Sequence, residues 1–111
     1  MTKIKVCTLN ELPTGTGRRV VVEPGWEIGV FRTAGGGIHA IDNRCPHAGA
    51  PLHNGHIAGE DIVCPLHMWS FSLITGRCTS FRGPEVETFP TEVVDDTIFL
   101  LLDTEEPEAG S

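Results

Sequence analysis

Residues 45–71 read CPHAGAPLHNGHIAGEDIVCPLHMWSF, and the two ends of this stretch decide how the rest is read. Cys45-Pro46-His47 opens it, Cys64-Pro65-Leu66-His67 nearly closes it, and 16 residues separate His47 from Cys64. Each end presents one thiolate and one imidazole from a turn shaped by the proline directly after the cysteine. Brought face to face, the two turns make a site of two sulfurs and two nitrogens. Thiolates select zinc, copper and iron–sulfur centres, and imidazole suits zinc, copper, iron and nickel, so donor type alone leaves the metal open.

The totals bound what can surround such a site. A chain of 111 residues and 12.0 kDa has room for one core, and 40% hydrophobic residues with 13 glycines and 8 prolines describe a turn-rich globular domain of short strands. Four cysteines could form a disulfide framework, but two of them have a histidine two or three residues away, which points to metal binding in a reducing compartment. The formal charge is −7, and four of the acidic residues, Asp103, Glu105, Glu106 and Glu108, lie in the last nine positions; 8 basic against 11 acidic residues remain, a balance of −3. That excludes a nucleic-acid or anionic-membrane binder and permits a basic protein partner. No apolar run approaches the roughly 20 residues of a membrane span, and residues 1–6 lack the apolar core of a secretory signal, so a cytoplasmic location is expected.

Outward from the ligand stretch, the chain reads as strands. Residues 3–9 form a first strand closed by the turn at 13–17. Residues 18–23 and 26–32 make a hairpin around Pro24-Gly25, with Trp26, Ile28 and Val30 on one face. Gly35-Gly36-Gly37 has neither the phosphate-loop spacing nor the dinucleotide fingerprint and serves as a strand connection. Residues 38–42 form a further strand. Within the spacer, loop and turn precede a short strand at 62–64; Trp69, Phe71 and Leu73 alternate with serines in another, and residues 77–80 return as its hairpin arm. Residues 86–94 and 97–102 make a final hairpin around Asp95-Asp96, and residues 103–111 are expected to be a disordered acidic tail. The expected organisation is one domain over residues 1–102, with a cluster-binding subdomain at about 43–82.

Zinc fingers group like ligands, two cysteines and then two histidines, whereas here each turn mixes the two. Mixed turns suit a two-metal cluster. If each gives its sulfur to one iron and its nitrogen to the other, one iron carries two cysteines and the other two histidines, the Rieske [2Fe–2S] arrangement. The sequence resembles the soluble Rieske-type ferredoxins, through C-P-H-A-G-A-P-L at 45–52, C-P-L-H-x-W-x-F-x-L-x-T-G at 64–76 and a consistent strand order over about residues 3–102. The resemblance implies an all-β fold, an antiparallel β-sandwich bearing a small cluster-binding subdomain. It also implies one [2Fe–2S] cluster with Cys45 and Cys64 on the buried iron and His47 and His67 on the iron nearer the surface, and Gly83-Pro84 as a third loop over it. The function implied is an electron-transfer component with no catalytic residues of its own. It would carry single electrons from an NAD(P)H-linked flavoprotein reductase to the terminal oxygenase of a ring-hydroxylating dioxygenase or to a nitrite reductase large subunit. T-G-x-C at 75–78 and V-x-T-x-P at 86–90 favour the nitrite reductase type. The different-class alternative is a zinc-stabilised binding module without redox activity.

Departures from the high-potential branch of the family carry information. That branch has an additional cysteine in each ligand turn, the two joined as a disulfide; Ala50 and Leu66 stand at those positions. Its serine and tyrosine hydroxyls beside the cluster are replaced by Trp69 and Phe71. Lost hydroxyl donors leave the reduced charge less stabilised, which places the midpoint at the low end of the Rieske range, around −150 mV. Elsewhere, Cys7 and Cys78 read as buried small hydrophobes, with a mutual disulfide disfavoured by the compartment. His39 reads as structural, and His53 and His56 as exposed loop residues. Arg44, Met68 and Pro84 stand open between the rim of a docking face and ordinary loop positions.

Overall fold

The computed structural model describes residues 2–46, 49–65, 68–80 and 83–102. Among these residues, ten strands form three antiparallel sheets. β1 (Thr2–Thr8), β10 (Thr97–Leu102) and β9 (Thr91–Val94) make the first, in the order β1-β10-β9. The second, β2-β3-β4-β8, contains β2 (Thr16–Glu23), β3 (Trp26–Arg32), β4 (Ile38–Asp42) and β8 (Thr88–Phe89). The third is a small meander of β5 (His56–Ala58), β6 (Asp61–Val63) and β7 (Ser70–Ser72), inserted between β4 and β8. No helix among the described residues is long and apolar enough to cross a membrane.

The all-β expectation and the hairpins at Pro24-Gly25 and Asp95-Asp96 are present as read. At the latter, both aspartates have positive φ, +51° and +66°, the backbone of a two-residue turn matched to strand twist. Beyond shifts of one or two residues at strand ends, three differences are larger. The strand expected at 86–94 is split: Phe89 pairs with Ala40 in the second sheet, and after Pro90 the chain pairs with β10 in the first. Proline has no N–H to continue a ladder, so it is a natural point for a switch of sheets. The arm expected at 77–80 reduces to an isolated bridge between Phe71 and Cys78. His56–Ala58, read as loop, pairs with β6. The acidic segment 103–111 lies outside the described residues.

Two cores share one wall. Ile28, Val30 and Ala40 project from β3 and β4 into the sandwich core with Cys7, Leu12, Ile98, Leu100 and Leu102. The opposite face of the same strands sends Phe31 and Ile41 into a second core with Cys45, Leu52, Ile62, Cys64, Phe71 and Val86. Ordinary alternation reveals only one of these faces, and β3 is buried on both. Space for the Phe31 ring comes from Gly17 and Gly29, where an added Cβ would lie 2.6 and 2.7 Å from ring carbons. The small meander therefore rests on a wall already braced from behind.

Candidate metal centre

Each predicted ligand cysteine sits in a turn of the same construction. In the first, the Cys45 N–H donates to the carbonyl of Ala50 at 2.9 Å, and the Gly49 N–H donates to the Cys45 carbonyl at 2.7 Å. In the second, the Cys64 N–H donates to the Trp69 carbonyl at 2.6 Å, and the Met68 N–H donates to the Cys64 carbonyl at 3.1 Å. The correspondence is residue for residue, with Gly49 matching Met68 and Ala50 matching Trp69. Both turns leave the proline after the cysteine exposed. Both bury the cysteine, Cys45 to 1% exposure and Cys64 to 0%, within one apolar cluster.

The bend before each closing hydrogen bond is left-handed, with φ of +71° at Gly49 and +61° at Met68. Glycine adopts this conformation freely, while a residue with a Cβ gives up about 1–2 kcal/mol. Met68 accepts that cost at a position 69% exposed.

The stems differ. The second turn tips the β6–β7 hairpin, whose last pair is Val63 with Ser70. The first is closed by an isolated bridge between Arg44 and Pro51 and by Asn43, a polar residue only 1% exposed. The Asn43 Oδ1 accepts the His53 N–H at 2.8 Å, which sets the amide orientation, because a backbone N–H can only donate. Its Nδ2 therefore donates, to Glu27 Oε1 at 3.3 Å and to His53 Nδ1 at 2.9 Å, so the His53 ring carries its proton on Nε2. The Asn43 main chain bonds the Glu27 carbonyl at 3.0 Å and receives the Leu52 N–H at 2.7 Å. Sequence reasoning missed this residue, since its partners lie 10 and 16 positions away. It also read His53 as an exposed loop residue, whereas His53 is part-buried in this network.

Other predicted positions fall as follows. His39, on β4, approaches Glu60 of the β5–β6 turn at 3.3 Å and so spans from the wall to the meander. His56 is exposed. Cys7 lies in the sandwich core, and Cys78 packs half-buried against the other core. No disulfide joins any of the four cysteines. Burial pushes the Cys7 thiol above its ordinary value, partly opposed by the Arg18 charge. Gly83 and Pro84 are exposed, and the chain after them is tied down by Val86, whose N–H donates to the Gly76 carbonyl at 2.8 Å. Among the described residues, no three His, Cys, Asp or Glu side chains gather to hold a metal ion; His47 and His67, which complete the predicted set, lie outside them, as does Leu66. The described half of the donor set, two buried thiols set by matching turns, has the chemistry an iron–sulfur group requires.

Comparison with known proteins agrees with that chemistry. Residues 2–91 match the family described as the Rieske [2Fe–2S] domain. A 3-phenylpropionate/cinnamic acid dioxygenase ferredoxin subunit from Photorhabdus laumondii is 36% identical over 109 residues, covering 96% of this chain and 100% of that protein. In a solved complex of reduced oxygenase and oxidised ferredoxin of carbazole 1,9a-dioxygenase, one chain is 28% identical, covers 88% of this chain and 100% of that chain, and superposes with a TM-score of 0.81. A structure assigned as the small subunit of an NADPH nitrite reductase is 28% identical, with a TM-score of 0.78 over 92% of this chain and 100% of that one.

Proposed function

This chain belongs to the Rieske [2Fe–2S] family, and from that premise we propose that it receives single electrons from an NAD(P)H-linked flavin reductase in the cytoplasm and delivers them to a ring-hydroxylating terminal oxygenase. It is an electron-transfer component rather than an enzyme in its own right, and its cofactor is one Rieske-type cluster. The ligands we assign are Cys45, His47, Cys64 and His67, within a cluster-binding unit of about residues 43–82. When bound, such a cluster takes up and releases one electron, and its two imidazoles lift the potential above that of a four-cysteine cluster.

The observation that carries this reading is the pair of matching turns that bury Cys45 and Cys64 in one apolar cluster. The chain's own residues exclude water: Phe71 and Leu52 are fully buried around the cysteines, and Trp69 packs against them. They also bias the potential. Neither Trp69 nor Phe71 offers a hydroxyl, which supports a midpoint near the low end of the Rieske range, around −150 mV.

The oxygenase is preferred as acceptor because the 36% identity to a dioxygenase ferredoxin subunit spans that protein's full length. A nitrite reductase large subunit is the second reading, favoured by the 75–78 and 86–90 segments and by the 28% identical small subunit. The test is direct. The purified protein should be red-brown, contain about two irons and two labile sulfides per chain, and give the rhombic resonance of a Rieske centre when reduced. A colourless protein with one zinc would overturn the assignment in favour of a structural staple.

A further inference from the structure

The Asn43 amide leaves the His53 ring one acceptable protonation state. Asn43 Oδ1 is committed to the His53 main-chain N–H at 2.8 Å, and both hydrogens on Nδ2 are used, one on Glu27 Oε1 at 3.3 Å and one on His53 Nδ1 at 2.9 Å. Asn43 is 1% exposed, so water does not stand in for a lost partner. A proton on Nδ1 turns that ring nitrogen from acceptor to donor and sets two donors against each other. Turning the amide over does not repair the contact. It offers Oδ1 to the new N–H, but it sets Nδ2 against the His53 main-chain N–H and Oδ1 against the Glu27 carboxylate. Nor can the amide retreat toward β3, because Oδ1 already lies over Gly29, where an added Cβ would stand 2.8 Å from it. Among the described residues, the other charged groups around the network balance: Arg19 of β2 pairs with Glu27 at 3.8 Å, and Asp42 and Arg44 flank Asn43, Asp42 Oδ1 accepting the Arg44 N–H at 3.0 Å. The nearby β2 residue Gly17 brings no charge.

We propose that His53 is a proton-sensitive latch on the first ligand turn: the neutral ring holds the Asn43 amide in place, and a proton on Nδ1 releases the turn and with it the cluster. The proposal rests on the ligand assignment above. The first turn is the sensitive one, because beside its isolated Arg44–Pro51 bridge it depends on the Asn43 network, whereas the second continues the main-chain ladder of β6 and β7, whose bonds do not titrate. The direction follows from the form the folded turn needs. That form is the neutral ring, so its contribution is complete above the range in which histidine changes charge, about pH 5–8, and is lost as pH falls through it. His39 acts in the opposite sense, since a charged ring 3.3 Å from Glu60 is attracted to it, and so does not account for a loss in acid.

The experiment follows the iron content and visible absorption of the holoprotein after transfer from about pH 8 to about pH 5.5, for wild type, His53→Gln and His56→Gln. Glutamine at position 53 keeps an acceptor that does not take up a proton, and His56, exposed on β5, controls for the loss of a histidine as such. Expected are equal iron contents at the higher pH, loss of the cluster at the lower pH about tenfold slower in His53→Gln than in wild type, and wild-type behaviour in His56→Gln. Equal rates in wild type and His53→Gln overturn the proposal, as does equal protection by His56→Gln. Should the glutamine variant take up no iron, the wild type alone decides: ring-nitrogen NMR shifts of His53 are expected to show Nδ1 bare at the higher pH and protonated over the same range in which iron is lost. A ring still carrying a single proton when the cluster has gone, or a charged ring in a protein that keeps its iron, overturns the latch. A wild-type protein without iron at the higher pH sinks the ligand assignment instead, and iron analysis separates that failure before the pH is changed.

Discussion

The two ligand turns close with the same pair of main-chain hydrogen bonds but are supported differently. The second extends a two-stranded ladder, so its support is main chain repeated at every residue of β6 and β7. The first has a single bridge, Arg44 with Pro51, and leans on Asn43, whose buried side chain reaches back to Glu27 on β3 and forward to His53. At the bend the contrast reverses: the first turn uses the relaxed residue, Gly49, and the second the strained one, Met68. Equal backbone geometry can thus conceal unequal vulnerability, because a ladder distributes its stabilisation while an amide concentrates it in one group.

The largest effect should ignore that difference. Cys45→Ser and Cys64→Ser each remove a predicted ligand, and both should abolish visible absorption and iron content; a variant that kept a full complement of iron would remove that cysteine from the assignment. Next comes the asymmetry of the stems. Asn43→Leu leaves the His53 N–H without its acceptor in a part-buried setting and should destabilise the holoprotein by about 2–4 kcal/mol in urea. By contrast, Ser80→Ala, which deletes the hydroxyl accepting the Ser70 N–H at 2.8 Å beside the second turn, should cost under about 1 kcal/mol, because that site is exposed. Equal losses would mean that the two stems are supported alike. At the bends, Gly49→Ala should cost about 1 kcal/mol, whereas Met68→Gly should be neutral or stabilising by up to about 1 kcal/mol, again by denaturant titration. A loss of stability in Met68→Gly would show that the methionine is held by packing. The smallest effect is electronic: Phe71→Tyr restores a hydroxyl after the second turn and should raise the midpoint by roughly tens of millivolts. A lower midpoint would contradict the link between absent hydroxyls and low potential.

Much of this was legible in advance. The mixed Cys–His turns named the metal chemistry because donor type and short spacing are properties of consecutive residues. β3 was readable from apolar alternation, β2 and the 97–102 strand from apolar runs bounded by turn signals, and Asp95-Asp96 from turn chemistry. Less legible was anything that depends on a second partner. Phe31 and Ile41 sit on what a single-faced reading treats as the outer side of β3 and β4, and they become core because the 50–86 segment folds back over them. Val86 reads as the start of a strand, yet it is an anchor in that core, and Pro90 marks the crossing between sheets.

By itself, the order of residues determined the mixed thiol–imidazole pattern of the two turns and the all-β character, and it set the expectation of a low potential, since each follows from side-chain identity or from neighbours within a few positions. Only the tertiary structure decided that two cores share β3 and β4, that Asn43 bears the first ligand turn, and that Met68 occupies a bend suited to glycine. Those features depend on groups brought together from distant parts of the chain, or on a dihedral angle imposed by closing a turn, and neither is encoded in local pattern.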